Sequence, residues 1–438
     1  MLLSNLLQPN PGQLIGATSL LANGCRGARL GLDINGVDIL SVATFGSQSK
    51  EGEKTEQNWV VKSTLSEQPT FPAQQSIGSR EWMGIILEYI SSLSKFAAKF
   101  SAMRGIQVAE YVKGPQELKV SDLPDPVPKP DQYLIEVHAA AANFFDILQI
   151  QGKYQLQPPL PWVSGFEFAG VVISTPSSSK SPAFPVGTRV FGASQGAYAT
   201  KVCALEASLL AVPDGWSFRE AAGLFVTAPT SYGALVVRAD VKAGDYVLVH
   251  AAAGGVGLAA VQVAKAKGAT VIATAGTKRK LEVAKAFGAD YAIDYRAADW
   301  PEQVKKLTPK GRGVDIVYDP VGLVDKSTKC IAWNGRILII GFAAGSIEKV
   351  AMNKVLLKNI SLVGIHWGAY TLHEPAKIGE VWDGIRDMIK KKQFRGTEFT
   401  DKEFVGLESI PDALIALGSR DTWGKVVIRI PQGSSGKL

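Results

Sequence analysis

A chain of 438 residues, 46% hydrophobic and 20% charged, suits a soluble globular protein of two or three domains whose cores need neither disulfides nor structural metals. Its formal charge of +7 is diffuse, and its densest clusters, Lys278-Arg279-Lys280 and Lys390-Lys391-Lys392, lack interleaved aromatics, so a nucleic-acid partner is not expected. Cys25, Cys203 and Cys330 are too scattered for a disulfide framework or zinc knuckle and suit a reducing compartment, while no apolar run approaches the ~20 residues of a membrane span.

Residues 1–102 carry equal numbers of acidic and basic side chains, so the net charge belongs to the remainder. The first 32 residues have no Asp or Glu and contain Arg26 and Arg29, which faintly resembles a mitochondrial presequence. They lack a basic start before an apolar stretch, so the cytoplasm is the expected location and the mitochondrion the alternative. Ser47 to Ser79 is too polar to offset the entropy of ordering and is predicted to be disordered. Ile85, Ile86, Tyr89, Ile90, Leu93, Phe96, Ala97 and Phe100 recur at helical spacing and predict one amphipathic helix over 81–100. Met103 opens MRGIQVAEY like a conventional start. Residues 1–102 therefore read as an extension, largely disordered and dispensable for chemistry.

From Met103 to about Thr227, short apolar runs separated by Pro and Gly predict a small β domain of barrel type. Its strands fall near Val108–Tyr111, Tyr133–Ala139, Glu167–Ile173 and Thr188–Phe191. Ser174 to Pro185 has the composition of a surface loop. From about Ala228 the rhythm becomes strand, helix, strand. Asp245–His250, Thr270–Thr274, Asp315–Tyr318 and Arg336–Ile340 read as strands, and Gly257–Lys267 and Lys278–Phe287 as helices. Apolar strands alternating with helices mean a parallel sheet covered on both faces. The tail predicts helices near Val381–Lys391 and Ile410–Leu417 and a strand at Lys425–Ile430, which is read as returning to the first domain.

The strand Val247–His250 runs into Ala251-Ala-Ala-Gly254-Gly255-Val256-Gly257 and then directly into a helix. Such a loop lets backbone approach a pyrophosphate while the helix N-terminus offers free N–H groups to it. Ala251 stands where the first glycine of the usual pattern would be, and a tight turn with no ligand is the competing reading. After the second strand, Ala273-Thr-Ala-Gly276-Thr277-Lys278-Arg279-Lys280 supplies no acid for a ribose 2′-hydroxyl and three cations instead. That favours NADPH over NADH, because Lys and Arg pair with a 2′-phosphate and cations alone are disfavoured at a helix N-terminus. Mere decoration of a helix start is the alternative.

These motifs together resemble zinc-independent quinone oxidoreductases of the zeta-crystallin type, in the medium-chain dehydrogenase/reductase superfamily. The resemblance covers residues 103–438 and rests on Asn143-Phe-Phe-Asp146, Gly165-Phe-Glu167-Phe-Ala-Gly170, Ala251–Gly257, Thr274–Thr277 with Lys280, and Val317–Gly322. It implies an α/β chain with a GroES-like catalytic domain (103–228 and 366–438) interrupted by a Rossmann NADPH-binding domain (229–365). It places a 2′-phosphate clamp on Gly276, Thr277, Lys280, Tyr295 and Arg420, the pyrophosphate on Gly254, Gly255, Val256 and Gly257, and the nicotinamide near Thr227, Gly341 and Phe342. It also implies a homodimer joined at the Rossmann sheet edge. Zinc relatives supply Cys and His where this chain has Asn143 and Phe166, there is no cysteine near Thr227, and phenylalanine cannot ligate zinc. No metal is expected. Without one, hydrogen-bond donors must stabilise the charge that develops on a substrate carbonyl. The candidates are Asn143, with Asp146 orienting it, and Tyr154. The competing readings are a helix cap for Asn143–Asp146 and a plain cleft wall for Tyr154. His138 and His250 are expected to be packed, whereas His366 and Trp367 are candidates for an aromatic substrate pocket. Quinone reduction is the leading expectation. The alternatives are reduction of 2-alkenals or enones, and a low-turnover, NADPH-binding structural or RNA-binding protein.

Overall fold

The computed structural model describes strand residues 28–34, 37–46 and 58–62, and residues 103–345 and 347–432. It divides the chain into two units, 1–102 and 103–438. In the first unit β1 (Ala28–Ile34), β2 (Val37–Gly46) and β3 (Asn58–Lys62) form an antiparallel sheet in sequence order. Ile34 pairs with Val37, and the two residues between them in sequence, Asn35 and Gly36, are the pair that two-residue hairpins favour. β3 lies inside the polar stretch that composition predicts to be disordered. Its Trp59-Val60-Val61 core is aromatic and β-branched, and average polarity over the stretch hides it. The helix expected over 81–100 lies outside the described residues.

The second unit opens with β4 (Met103–Val108), which pairs with β5 (Val120–Leu123) and β7 (Trp162–Val163) on either side of the long β6 (Gln132–Ala141) in sequence. β4 lies before the strand expected over Val108–Tyr111 and shares only Val108 with it. Gly105 permits this, because a Cβ there would lie 2.9 Å from that of Ala199. β6 alternates buried and half-exposed residues before ending in the buried run Ala139–Ala141, the mark of a strand packed on one face and then covered on both. One edge of β6 pairs antiparallel with β8 (Glu167–Ser174), which continues to β9 (Arg189–Ala193) and β11 (Leu209–Ala211). Its other edge takes β10 (Lys201–Leu205) along the first half and the C-terminal β19 (Val427–Arg429) along the second. The tail strand therefore does return to this sheet, with β18 (Phe404–Val405) beside it.

Between β11 and the tail runs a six-stranded parallel sheet. β12 (Tyr246–Val249), β13 (Thr270–Ala275), β14 (Tyr291–Asp294), β15 (Val314–Asp319), β16 (Ile331–Ile339) and β17 (Ser361–Gly364) take the order β14-β13-β12-β15-β16-β17. Val247, Leu248 and Val249 are fully buried, as both-face coverage by helices demands. The strand order reverses between β12 and β15, and an open α/β sheet binds its ligand beyond the carboxyl ends at such a point. The helix Gly255–Ala266 starts there. The tail helix Pro375–Lys390 buries Val381, Trp382, Ile385 and Met388 in a cluster with Tyr232 and Leu235, and Trp382 packs edge-on against Phe191 of β9.

Candidate active site

The glycine loop occupies the switch point. Ala251 has φ +45°, a left-handed conformation that glycine adopts without cost and alanine does not. Its carbonyl accepts the Gly254 N–H at 2.8 Å, closing the turn. Gly254 then caps the helix Gly255–Ala266 in an extended conformation. At Gly257 a Cβ would lie 2.3 Å from the Ala251 oxygen, so only glycine lets the helix seat this close to the turn. The Val256 carbonyl accepts the Ser231 hydroxyl at 2.8 Å, and the buried Thr227 turns its own hydroxyl back to Gly223.

Beyond β13 the residues expected around a 2′-phosphate lie together. The Thr277 hydroxyl caps the helix Lys278–Ala286 by accepting the Lys280 N–H. The Tyr295 hydroxyl lies 3.3 Å from where a Gly276 Cβ would be. The Lys280 ammonium donates to the Arg420 carbonyl at 2.5 Å, with Arg420 held at φ +62°. Burial pushes Lys280 below the ordinary lysine range, with only a partial counter-pull from Asp421. Arg279 is spent elsewhere, in a bidentate pair with Asp401 at 2.6 and 3.1 Å. The three cations therefore do not act as one group. The Arg420 guanidinium donates to Ala343 at 2.8 Å, one residue past Phe342.

The other candidates sit around the start of the helix Phe144–Ile150. Asn143 is its N-cap, and its N–H donates to Asp146 Oδ2 at 2.8 Å, so the capping reading is realised here. Asp146 Oδ2 also accepts the Tyr198 hydroxyl at 2.6 Å, while Oδ1 is buried without a partner among the described residues. Burial raises this carboxyl to about 7, against the opposing pull of Tyr198, the Asn143 N–H and Lys425. The Asn143 carboxamide faces inward: its oxygen accepts Lys425 Nζ at 2.7 Å and its nitrogen donates to Glu167 Oε2 at 3.0 Å. Tyr154 is half-buried and stacks on Phe145 at 5.3 Å, which in turn meets Phe166 edge-on at 5.6 Å. Burial and then the Asp146 charge raise the Tyr154 phenol.

His366 lines a cavity with Gly341 and Phe342, whereas the Trp367 ring turns toward Gly233 and stacks on Tyr370 at 5.0 Å. The structure thus separates this pair. His250 is fully buried between Thr274 and Ser327 at 2.8 and 2.9 Å, and burial lowers it to about 4. His138 is packed against Phe218 at 4.6 Å and paired with Glu136. Sequence reasoning missed Lys425, Glu167 and Tyr198 as members of the site. Glu167 stood within a quoted motif, and an isolated lysine in an apolar strand, Trp423-Gly-Lys425-Val-Val, was the available signal for Lys425. Among the described residues no three His, Cys, Asp or Glu side chains cluster as metal ligands would.

A barrel-type β unit interrupted by a 3-2-1-4-5-6 parallel sheet, with a glycine loop at the switch point, defines a medium-chain dehydrogenase/reductase. The family descriptions agree: "Alcohol dehydrogenase GroES-like domain" matches residues 129–227 and "Zinc-binding dehydrogenase" residues 255–383. A quinone oxidoreductase-like protein 2 homolog from Nematostella vectensis is 38% identical over 306 residues, 69% of this chain and 82% of that protein. The structure of Escherichia coli quinone oxidoreductase complexed with NADPH superposes with TM-score 0.66 at 29% identity, covering 74% of this chain and 99% of that one. A mycobacterial protein complexed with NADPH gives TM-score 0.67 at 31% identity, covering 75% and 99%. The chain belongs to the quinone oxidoreductase family, the zeta-crystallin-like branch of that superfamily.

Proposed function

We propose that this protein is an NADPH-dependent, zinc-independent quinone reductase. The observation that carries the cofactor is the end of β13: Gly276, Thr277, Lys280, Tyr295 and Arg420 converge there, and the helix that follows has no acid in its first turn. A half-buried ammonium bonded only to a carbonyl oxygen there suits a phosphate dianion. Gly254 to Gly257 would hold the pyrophosphate at the helix N-terminus, and Thr227, Gly341 and Phe342 would flank the nicotinamide. Bound in this way, NADPH supplies a hydride, which with one proton from solvent converts a quinone to a hydroquinone.

The chain's own residues bind and orient. Tyr154, Phe145 and Phe166 form an aromatic wall suited to a flat ring, with Tyr154 as a hydrogen-bond donor, and His366 lines the cavity beside Gly341 and Phe342. The second amide proton of Asn143 makes only a long bond, 3.4 Å, to Ala141 O, and we assign it to the substrate or the ribose when one is bound. Asp146 acts behind it as a positioning residue. The Lys425 ammonium beside Asn143 and Glu167 places a protein cation where zinc relatives gather ligands, which disfavours a divalent ion. Residues 103–228 and 366–438 then form the catalytic domain around a nucleotide domain of 229–365, with residues 1–102 dispensable for turnover. Free thiols at Cys203 and Cys330 suit the cytoplasm. No helix among the described residues is long and apolar enough to cross a membrane.

The test is oxidation of NADPH, and separately NADH, with 1,4-benzoquinone, phenanthrenequinone and a 2-alkenal. Fast NADPH oxidation with quinones, poor use of NADH and no loss on chelation are expected. Activity with the alkenal alone moves the assignment to ene reduction, and tight binding without turnover moves it to a binding protein. We further assign a homodimer through β17. It ends the sheet, and Met352, Leu356 and Leu357 of the neighbouring helix Met352–Lys358 are exposed. Sedimentation should return two chains per particle at micromolar concentration; a single chain removes this assignment.

A further inference from the structure

We infer that Lys425 and Glu167 form a buried charge clamp that fixes the Asn143 carboxamide against the glycine loop and thereby sets how the nicotinamide end of the cofactor meets its acceptor. The inference rests on the NADPH-dependent reading of the site. Lys425 is 4% exposed and Glu167 not at all. All three ammonium protons are used: they reach the Ala142 carbonyl at 3.0 Å, Asn143 Oδ1 at 2.7 Å and Glu167 Oε2 at 2.8 Å. Glu167 Oε2 also accepts the Asn143 amide at 3.0 Å, so the carboxamide is gripped at both ends and cannot rotate. Its remaining proton turns to the Ala141 carbonyl at 3.4 Å, a long bond whose direction the clamp fixes. The ammonium on its oxygen also polarises the amide and strengthens that proton as a donor. The other carboxylate oxygen, Oε1, accepts the Val226 N–H at 2.8 Å, immediately before the helix Thr227–Tyr232.

The lysine stem makes the second attachment. Its Cδ lies 2.9 Å from where a Cβ on Gly255 would stand, and its Cβ 2.8 Å from where one on Gly223 would stand. The preceding residue, Gly424, donates its N–H to the Ala253 carbonyl of the glycine loop at 2.6 Å. The side chain of Lys425 therefore spans from the phosphate loop to the end of β6, β8 and the hinge before Thr227. A buried ion pair is a poor device for stability, because an apolar pair of the same shape does as well. What it adds at this position is direction, through bonds of fixed angle among residues from four separate stretches of the chain. Lys425 and Glu167 are positioning residues, and neither needs to touch the substrate.

The test is the double variant Lys425→Met/Glu167→Gln in the full chain. It removes both charges, leaves no unpaired ion, and keeps an oxygen for the Val226 N–H. Its melting temperature should stay near that of the wild type, and its KM for NADPH should hardly move, because the 2′-phosphate contacts lie beyond β13. Its kcat with 1,4-benzoquinone should fall about a hundred-fold, the scale of an ångström's misplacement. A variant that melts and turns over like the wild type overturns the clamp. Should the double variant melt early, Glu167→Gln alone replaces it; that variant keeps shape and an acceptor, and wild-type kcat there likewise overturns the proposal. If the wild type itself oxidises no NADPH, the reductase reading falls and the clamp is judged by the fluorescence of bound NADPH. An emission maximum displaced in the double variant at unchanged affinity upholds the clamp, and an identical maximum overturns it.

Discussion

Lys280→Ala should raise KM for NADPH roughly ten- to a hundred-fold and leave KM for NADH nearly unchanged, the loss of one charge-assisted phosphate contact worth about 1.5–3 kcal/mol. Lys278, Arg279 and Lys280 crowd the first turn of a helix with no acid in that turn, where the dipole disfavours them. Arg279 has its compensation in Asp401 and in the face of Trp423. Among the described residues Lys280 bonds to the Arg420 carbonyl, Asp421 only partly offsets its burial, and that burial already costs it some of its basicity. A doubly charged phosphate between Lys280, Thr277 and Tyr295 would repay that burial. Steady-state kinetics with both cofactors, at two ionic strengths, reads the effect directly. An equal change in KM for NADH and NADPH would remove the 2′-phosphate from this corner, and the cofactor preference would need another source.

The same corner shows which parts of the molecule a sequence displays. Parallel strands buried on both faces must be apolar throughout, so Val247–Val249 and Thr270–Ala275 announce themselves, and the loop between β12 and its helix is bounded by them. β14 is four residues long and half-exposed, and β17 is an edge strand; neither carries a long apolar run. β16 begins at Ile331, five residues before the apolar stretch that marks it, because Trp333 and Asn334 interrupt the pattern. Local periodicity reports neighbours three, four or two positions away. It holds nothing about Lys425 meeting Glu167 across 258 positions, or Tyr198 meeting Asp146 across 52. A lone lysine reads as a solvated side chain until the fold closes around it. The candidate 2′-phosphate corner was legible because Gly276 to Lys280 are contiguous, and Tyr295 and Arg420 entered only through the resemblance. Trp367 beside His366 illustrates the converse: adjacent residues point apart, because Gly233 leaves a space that the indole fills.

Asp146→Asn should be more stable relative to wild type at pH 8.5 than at pH 5.5. Asp146 is buried, one of its oxygens has no partner among the described residues, and burial lifts its carboxyl from 3.8 to about 7. A folded-state value above the unfolded one means the native protein holds a proton that the unfolded chain has released between those two pH values. Stability therefore falls as pH rises from about 4 to 7, and the ionised carboxylate costs the fold about 4 kcal/mol above that range. Asparagine keeps an oxygen to accept both the Asn143 N–H and the Tyr198 hydroxyl, and carries no charge to desolvate. His250 pulls the other way: lowered to about 4, it favours the fold above 6.5 and loses that contribution as pH falls toward 4. The wild-type melting curve alone therefore mixes two opposed slopes. The difference between wild type and variant at each pH isolates Asp146, since His250 is common to both. A difference that is the same at pH 5.5 and 8.5 would mean that Asp146 ionises at an ordinary value. In the fold Asp146 caps the helix Phe144–Ile150 and accepts the Tyr198 hydroxyl, and its charge raises the Tyr154 phenol.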